Sequence, residues 1–190
     1  MKVEIKNWAG QYKIKTVRST KFSHWQEGTK FDQQSSIMPH YHRLVIYFDG
    51  ASRNNPRGPA GCGWNIYFMN NDGADDYQIA RGQKYLRYNK SNNQAEYEGL
   101  EAALQYMDDN SISCNGLYIR GDSQIVINQL DGIYQVRSSN IKPYYDCVKN
   151  LLDRVDYGYV NYKHIDRSRN SQADRLANDA INEERDYLSD

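Results

Sequence analysis

The order of strand-like and helix-like segments after residue 43 most strongly constrains the fold of this 190-residue chain. Leu44–Phe48 is a continuous apolar run, typical of a buried strand. The segments that follow it are strands at Gly63–Met69 and Tyr77–Leu86, a helix from Ser91 or Asn92 to about Met107, a strand at Gly116–Arg120, helices from about Ser123 to Leu130 and over Ile141–Val155, a strand at Tyr157–His164, and a helix from Asn170 to about Glu184. This order predicts an α/β fold: a mixed sheet of five strands, three antiparallel and the rest parallel, flanked by helices.

Composition excludes several classes of protein. No apolar run reaches the ~18 residues that a membrane helix needs, and the alternating charges of Met1–Asn7 are unlike a secretory signal. The three cysteines, Cys62, Cys114 and Cys147, are few and widely spaced. This pattern favours reduced thiols in an intracellular protein, cytoplasmic by default, over a disulfide framework or a zinc site.

Charge divides the chain into two parts. The 24 basic and 24 acidic side chains balance overall, but residues 1–43 contain eight basic and only three acidic residues. We interpret residues 1–42 as a basic N-terminal extension that ends in a linker at Ser35–His42, and residues 43–187 as the main domain. Lysines interleaved with aromatic residues could hold a nucleic-acid backbone and stack bases, although a small satellite sheet or an unstructured tail is the alternative. These aromatic residues are Trp8, Tyr12, Phe22, Trp25 and Phe31.

Acidic residues follow two of the predicted strands. Asp49 comes directly after the first apolar run, and Asp122 stands at the junction between the fourth strand and the next helix. Ligands of open α/β sheets bind at the carboxyl ends of strands. We therefore expect both carboxylates to belong to a site.

Helical periodicity adds two further acids. Glu96 falls on the buried face of the first turn of its helix, whereas Glu98 and Glu101 point away from that face. A buried acid needs a partner, and a metal ion is one; favourable placement at a helix N-terminus is the alternative. Asp174 lies at the edge of the apolar face of the last helix, near its start.

Four sequence blocks, in this order, resemble the type 1 ribonuclease H family. They are Asp49–Pro56, Ser91–Glu96, Gly121–Gln124 and His164–Ala177. The resemblance covers roughly residues 43–185 and implies a ribonuclease H-like fold for the main domain. The segments Gly132–Val136 and Lys142–Tyr144 are similar to the plant and archaeal branch, and the short interval from Asp122 to His164 leaves little room for the basic protrusion of some bacterial members.

The resemblance implies hydrolysis of the RNA strand of RNA–DNA hybrids, giving 5′-phosphate and 3′-hydroxyl ends. The carboxylates that match by position are Asp49, Glu96, Asp122 and Asp174. They would act as catalytic residues that hold two Mg²⁺ ions, or Mn²⁺, around the scissile phosphate. A mobile group before the last helix assists proton transfer or product release in the family, and both His164 and Arg167 match it by position.

Substrate contacts also follow by position. The matching residues are Asn55, Asn92, Asn93 and Gln124 for the minor groove and the 2′-hydroxyls, with Ser52 beside them, and Ser91 for a DNA-phosphate pocket. Contacts to 2′-hydroxyls distinguish RNA from DNA without reading base sequence.

Other functions compete with the nuclease. One is a catalytically inactive module that binds hybrids or proteins, another is an enzyme that also cleaves double-stranded RNA, and a third is a domain of a larger reverse transcriptase. The presence of all four acids favours the enzyme, and a chain that starts with Met and carries no polymerase segment favours a standalone protein. We expect a monomer whose partner is the RNA–DNA hybrid, with no membrane and no obligatory protein partner.

Overall fold

The computed structural model describes residues 2–6, 12–16, 39–70 and 74–189. The chain forms two compact units, residues 1–37 and 38–190. In the first unit, β1 (Lys2–Lys6) pairs antiparallel with β2 (Tyr12–Thr16) in a two-stranded sheet. The alternation of charged and apolar residues predicts such strands. The aromatic side chains of the basic extension, and residues 35–38 of the predicted linker, lie outside the described residues.

The second unit is a six-stranded mixed sheet flanked by four α-helices. Its elements are β3 (His40–Ser52), β4 (Pro59–Met69), β5 (Asp75–Tyr88), α1 (Asn92–Asp109), β6 (Ser113–Gly121), α2 (Gln124–Leu130), α3 (Lys142–Arg154), β7 (Tyr157–His164), α4 (Ser171–Glu183) and β8 (Tyr187–Ser189). The strands lie in the order β7–β6–β3–β4–β5–β8. The pairs β3–β4, β4–β5 and β5–β8 are antiparallel, and β3–β6 and β6–β7 are parallel. The predicted α/β class and the predicted order of elements are confirmed.

The structure differs from the sequence prediction in the number of strands and in the start of β3. The sheet has six strands instead of five, because the three-residue β8 pairs with β5 and is too short to give a periodic signal. The predicted domain end at residue 187 coincides with the first residue of β8. His40 and Tyr41 of the predicted linker are strand residues that pair with Ser113 and Cys114 of β6, so β3 starts before residue 43.

Helices cover both faces of the sheet. The faces are identified by two neighbouring residues of β4: the Cβ atom of Cys62 approaches Gly99 of α1, whereas Gly63 approaches Ala173 of α4. Successive side chains of a strand point to opposite faces, so α1 and α4 lie on opposite sides. The larger core cluster fills the α1 side, with Phe48 and other fully buried residues beneath α1 and α3.

Helix starts agree with the capping residues of the sequence. Ser91 caps α1: its hydroxyl accepts a hydrogen bond from the backbone N–H of Gln94, whose side chain accepts one from the backbone N–H of Ser91. Ser123 caps α2 in a similar way, since its hydroxyl accepts from the backbone of Val126. None of the helices in the described ranges combines the length and apolar character that crossing a membrane requires.

Candidate active site

Two carboxylates project from neighbouring parallel strands at the same edge of the sheet. The parallel pairing of β3 with β6 ends at the pair Tyr47–Arg120, and Asp49 and Asp122 each lie two residues beyond it. Asp122 follows the end of β6, as predicted. Asp49, in contrast, is inside β3, because this strand continues to Ser52 along β4 after its pairing with β6 has ended.

Glu96 completes the cluster from the first turns of α1. Asp49, Glu96 and Asp122 each offer a carboxylate oxygen, and these three oxygens lie within 4.8 Å of one another. Gly50 allows this approach: a Cβ atom there would stand 2.1 Å from the backbone nitrogen of Glu96. A side chain at residue 50 would therefore push α1, and Glu96 with it, away from β3.

The cluster is electrostatically strained without a cation. Asp49 and Glu96 are only 5% and 7% exposed. Burial, and then the negative charges of Asp122 and Asp174, raise the pKa of Asp49 to about 7. Burial also raises the pKa of Glu96 well above its usual range, followed by the charges of Asp49 and Asp122. The cluster therefore retains protons close to neutral pH.

The donor set fits a hard divalent cation. Among the described residues, no hydrogen-bond partner contacts the buried Oε2 atom of Glu96. A buried charged oxygen without a partner is costly. Clustered carboxylate oxygens are the ligands that Mg²⁺ and Mn²⁺ prefer, and the described neighbourhood contributes no thiolate or imidazole to this group.

Asp174 lies beside the cluster, but its carboxylate is paired with an arginine. Its carboxylate accepts a hydrogen bond from the exposed guanidinium of Arg167, which precedes α4. Its charge nevertheless contributes to the raised pKa of Asp49, which places it within electrostatic reach. The ion pair with Asp174 is the largest cause of the raised pKa of Arg167.

His164 contacts the backbone instead of a carboxylate. It ends β7, is exposed, and its Nε2 atom lies 3.1 Å from the carbonyl oxygen of Asp122. Both candidates for the mobile group thus flank the cluster, one on each side: His164 beside Asp122 and Arg167 beside Asp174.

Sequence reasoning missed Asn170, which is 1% exposed. Its Nδ2 atom donates to the carbonyl oxygen of Phe48 at 2.9 Å and to Oδ1 of Asp122 at 3.1 Å. This amide therefore ties the start of α4 to both strands that carry the aspartates. The sequence signals Asn170 only as a helix start, since an asparagine before a helix usually indicates a cap.

Glu98, which helical periodicity places away from the apolar face of α1, is nevertheless buried. Glu98 is 7% exposed, and its carboxylate forms ion pairs with Lys84 of β5 at 2.9 Å and with Lys90 at 2.6 Å. These two lysines lower the pKa of Glu98 despite its burial. Helical periodicity predicts the apolar face of α1. It does not predict the ion pair between Glu98 and Lys84, because that pair depends on the position of β5.

Most of the predicted substrate-binding residues lie together beside α1. The backbone N–H of Ser52 donates to Oδ1 of Asn92 at 2.9 Å, and Oδ1 of Asn55 accepts from the backbone N–H of Asn92 at 3.2 Å. The Ser52 hydroxyl donates to the carbonyl oxygen of Lys90 at 2.6 Å, next to the capping residue Ser91. The remaining two candidates are Asn93, in the first turn of α1, and Gln124, exposed at the start of α2 next to Asp122 and Ser123.

Comparison with known proteins finds relatives with this fold. The reverse transcriptase-like family matches residues 47–180. Ribonuclease HI of Halobacterium salinarum is 36% identical over 141 residues, which is 74% of this chain and 65% of that protein. The bifunctional protein Rv2228c of Mycobacterium tuberculosis is 34% identical over 139 residues, and the chain spans 35% of its length.

Solved structures extend the similarity. The crystal structure of RNase H1 from Halobacterium salinarum has a TM-score of 0.63 and 35% identity, and the match covers 74% of this chain and 98% of that one. The N-terminal RNase H domain of Rv2228c gives a TM-score of 0.64 and 31% identity, with coverages of 75% and 95%. LC11-RNase H1, solved in complex with an RNA/DNA hybrid, has a TM-score of 0.65 and 30% identity. The match covers 74% of this chain and 98% of that one.

These matches cover the part of the chain that holds the carboxylate cluster and the residues around it. They agree with the resemblance carried by the four sequence blocks. The chain belongs to the type 1 ribonuclease H family, within the reverse transcriptase-like proteins.

Proposed function

We propose that this protein is a ribonuclease H: a metal-dependent endoribonuclease that hydrolyses the RNA strand of RNA–DNA hybrids. The observation that carries the proposal is the convergence of Asp49, Glu96 and Asp122, with one buried Glu96 oxygen left without a partner. The chain spans about two thirds of the Halobacterium protein and about one third of Rv2228c.

The four carboxylates would hold the metal ions. Asp49, Glu96 and Asp122 form the compact group, and Asp174 would join it by exchanging its partner Arg167 for a cation. Two Mg²⁺ or Mn²⁺ ions would activate the attacking water and stabilise the leaving 3′ oxygen, giving 5′-phosphate and 3′-hydroxyl ends. Asn170 fixes the orientation of the Asp122 carboxylate through its 3.1 Å hydrogen bond.

His164 and Arg167 are suited to different tasks. Arg167 stays charged at all relevant pH values and can release Asp174 to contact a phosphate. His164 is exposed, and its imidazole nitrogens can both accept and donate a proton. We propose that His164 assists proton transfer and that Arg167 governs the availability of Asp174.

The hybrid would bind along the surface beside α1. Ser52, Asn55 and Asn92 already form one hydrogen-bonded group, whose remaining polar atoms suit 2′-hydroxyl and minor-groove contacts. Asn93 and Gln124 would extend these contacts on either side of the cluster, and Ser91 would contact a DNA phosphate. We propose a monomer that works within the cell, since Cys62 and Cys114 are buried free thiols and Cys147 is also unpaired.

Cleavage of a labelled RNA–DNA hybrid tests this function. The hybrid, duplex DNA, single-stranded RNA and double-stranded RNA would be incubated with the protein in Mg²⁺, Mn²⁺ or EDTA. We expect metal-dependent cutting of the RNA strand of the hybrid alone. Cutting of double-stranded RNA as well would broaden the substrate class, whereas binding of the hybrid without any cutting would indicate an inactive binding module.

A further inference from the structure

We propose that the surface of β6 and β7 on the α4 side of the sheet binds a single strand of nucleic acid. This surface, called the β6–β7 face below, is formed by alternate residues of neighbouring strands: Arg43 of β3, Tyr118 and Arg120 of β6, and Tyr159, Asn161 and Lys163 of β7. The pairing of β6 with β7 places these side chains next to one another. The hybrid is assigned to the surface beside α1, so this inference goes beyond the proposed nuclease activity.

The β6–β7 face is open in the described part of the chain. Arg120 pairs with Tyr47, which pairs in turn with Asn65, and Asn65 is two residues from Gly63 beneath α4. The face therefore points to the α4 side, where α4 packs against β3, β4 and β5. The described helices next to β6 and β7 belong to the core on the α1 side. Every member of the face that β7 contributes is accordingly exposed.

Tyr159 provides an aromatic ring on which a base can stack. Its side chain is 49% exposed and leans across the neighbouring strand, since a Cβ atom at Gly116 would stand only 2.6 Å from its Cζ atom. Its hydroxyl lies 2.7 Å from the hydroxyl of Tyr118, and the two rings are 5.9 Å apart and nearly perpendicular. The ring is therefore held in place from below, while the side away from the sheet stays accessible.

Basic side chains stand on both sides of this ring. The guanidinium of Arg43 donates a hydrogen bond to the hydroxyl of Tyr159. Lys163 is exposed and lies four residues further along β7, a separation of roughly 13 Å along a strand. A nucleic-acid backbone that crosses the Tyr159 ring therefore has a cation available on either side.

Arg120 adds positive charge from beneath the face. It is only 9% exposed, and its guanidinium donates to the carbonyl oxygen of Asn161 at 3.0 Å and to Oδ1 of the same residue at 2.9 Å. The guanidinium carbon also lies 5.1 Å from the centre of the Tyr118 ring. Asp75 is the acid whose charge acts on Arg120. Three cations against this one acid make the face complementary to phosphates.

The aromatic ring favours a single strand as the occupant. Bases of a duplex are already stacked on one another, whereas an unpaired base can stack on an exposed aromatic side chain. An acidic peptide would use the cations but would leave the Tyr159 ring without a stacking partner. Stacking on a ring and pairing with phosphates both tolerate any base sequence, so we expect little sequence preference.

Binding of a fluorescently labelled strand of eight thymidine nucleotides tests the proposal. The full chain would be titrated in EDTA, and fluorescence anisotropy would give the dissociation constant. We expect Tyr159→Leu to weaken binding at least about fivefold, the lower end of the effect of removing one stacking partner, and Tyr159→Phe to retain affinity because it keeps the ring. Tyr187→Leu is the matched control, since Tyr187 is 40% exposed on β8 at the opposite edge of the sheet.

The dependence of binding on salt separates the two kinds of contact. Each phosphate that a cation neutralises on a single strand contributes about −0.7 to the slope of log K against log salt concentration. Lys163→Gln should therefore make that slope less steep by about 0.7, whereas Tyr159→Leu should weaken binding and leave the slope unchanged. Equal slopes for the wild-type and Lys163→Gln proteins would contradict the phosphate contact.

The wild-type protein supplies a readout that needs no variant. In a nuclear magnetic resonance titration of the ¹⁵N-labelled full chain with the same strand, we expect saturable shifts of backbone amides around Tyr118, Tyr159 and Lys163. Shifts confined to residues 1–37 or to the surface beside α1 would overturn the proposal, and so would the absence of saturable binding. Because this binding needs neither metal nor cleavage, it can fail while the nuclease proposal holds, and it can hold while the nuclease proposal fails.

Discussion

Replacing Asp49 by asparagine should stabilise the metal-free protein at alkaline pH. The pKa of Asp49 is about 7 in the folded protein, against an ordinary value of 3.8. Between these two values the folded state holds more protons than the unfolded chain, so stability falls as the pH rises through this window. The full difference between the two pKa values corresponds to a loss of folding stability of at most about 4 kcal/mol, at 1.36 kcal/mol per pKa unit.

Urea unfolding in EDTA at pH 5 and pH 8 measures this effect. We expect the wild-type protein to lose stability between the two pH values and Asp49→Asn to lose about 1–2.7 kcal/mol less, because the amide carries no charge to bury and about two pKa units of the window lie above pH 5. Asp153→Asn, which changes an exposed acid, controls for net charge. Mg²⁺ should then stabilise the wild-type protein more than the Asp49 variant. Equal pH dependence of the wild-type and Asp49→Asn proteins would refute the electrostatic reasoning.

Four further variants probe the positions around the cluster and the basic extension. Gly50→Ala places a Cβ atom 2.1 Å from the backbone nitrogen of Glu96. We therefore expect the free energy of unfolding, measured with a chemical denaturant, to fall by at least about 3 kcal/mol. A smaller fall would mean that α1 can shift. His164→Ala should reduce the cleavage rate at saturating metal, whereas Arg167→Ala should mainly raise the metal concentration required. Identical effects of the two variants would contradict the separate roles. Deleting residues 1–38 leaves β3 intact. If the basic extension contacts phosphates, the deletion should weaken hybrid binding and make the binding less dependent on salt concentration. An unchanged salt dependence would exclude that role.

Much of the site could be predicted because its residues follow strong local patterns. An acid after an apolar strand, as at Asp49 and Asp122, and an acid on the buried face of a helix start, as at Glu96, are visible in one dimension. The structure brings these three together as expected. The four sequence blocks then indicated the family, which the comparisons confirm.

The features that sequence reasoning missed depend on contacts between distant segments. Asn170 reaches Asp122 only because α4 packs across β3, and Glu98 is buried only because β5 brings Lys84 beside it. The short β8 has too few residues for a periodic signal and forms through its pairing with β5. The strand start at His40 likewise depends on pairing with Ser113 of β6, which no local pattern announces.

The most direct test of the proposed chemistry compares the wild-type protein with Asp122→Asn. Binding and cleavage of the same labelled hybrid would be measured in parallel with Mg²⁺, Mn²⁺ and EDTA, with Asp153→Asn as the charge-matched control. Loss of a cluster carboxylate should lower the cleavage rate by at least about 100-fold, equivalent to ~2.7 kcal/mol of activation energy, while hybrid binding persists. Retention of full metal-dependent cleavage by Asp122→Asn would contradict the assignment of the cluster as the catalytic centre.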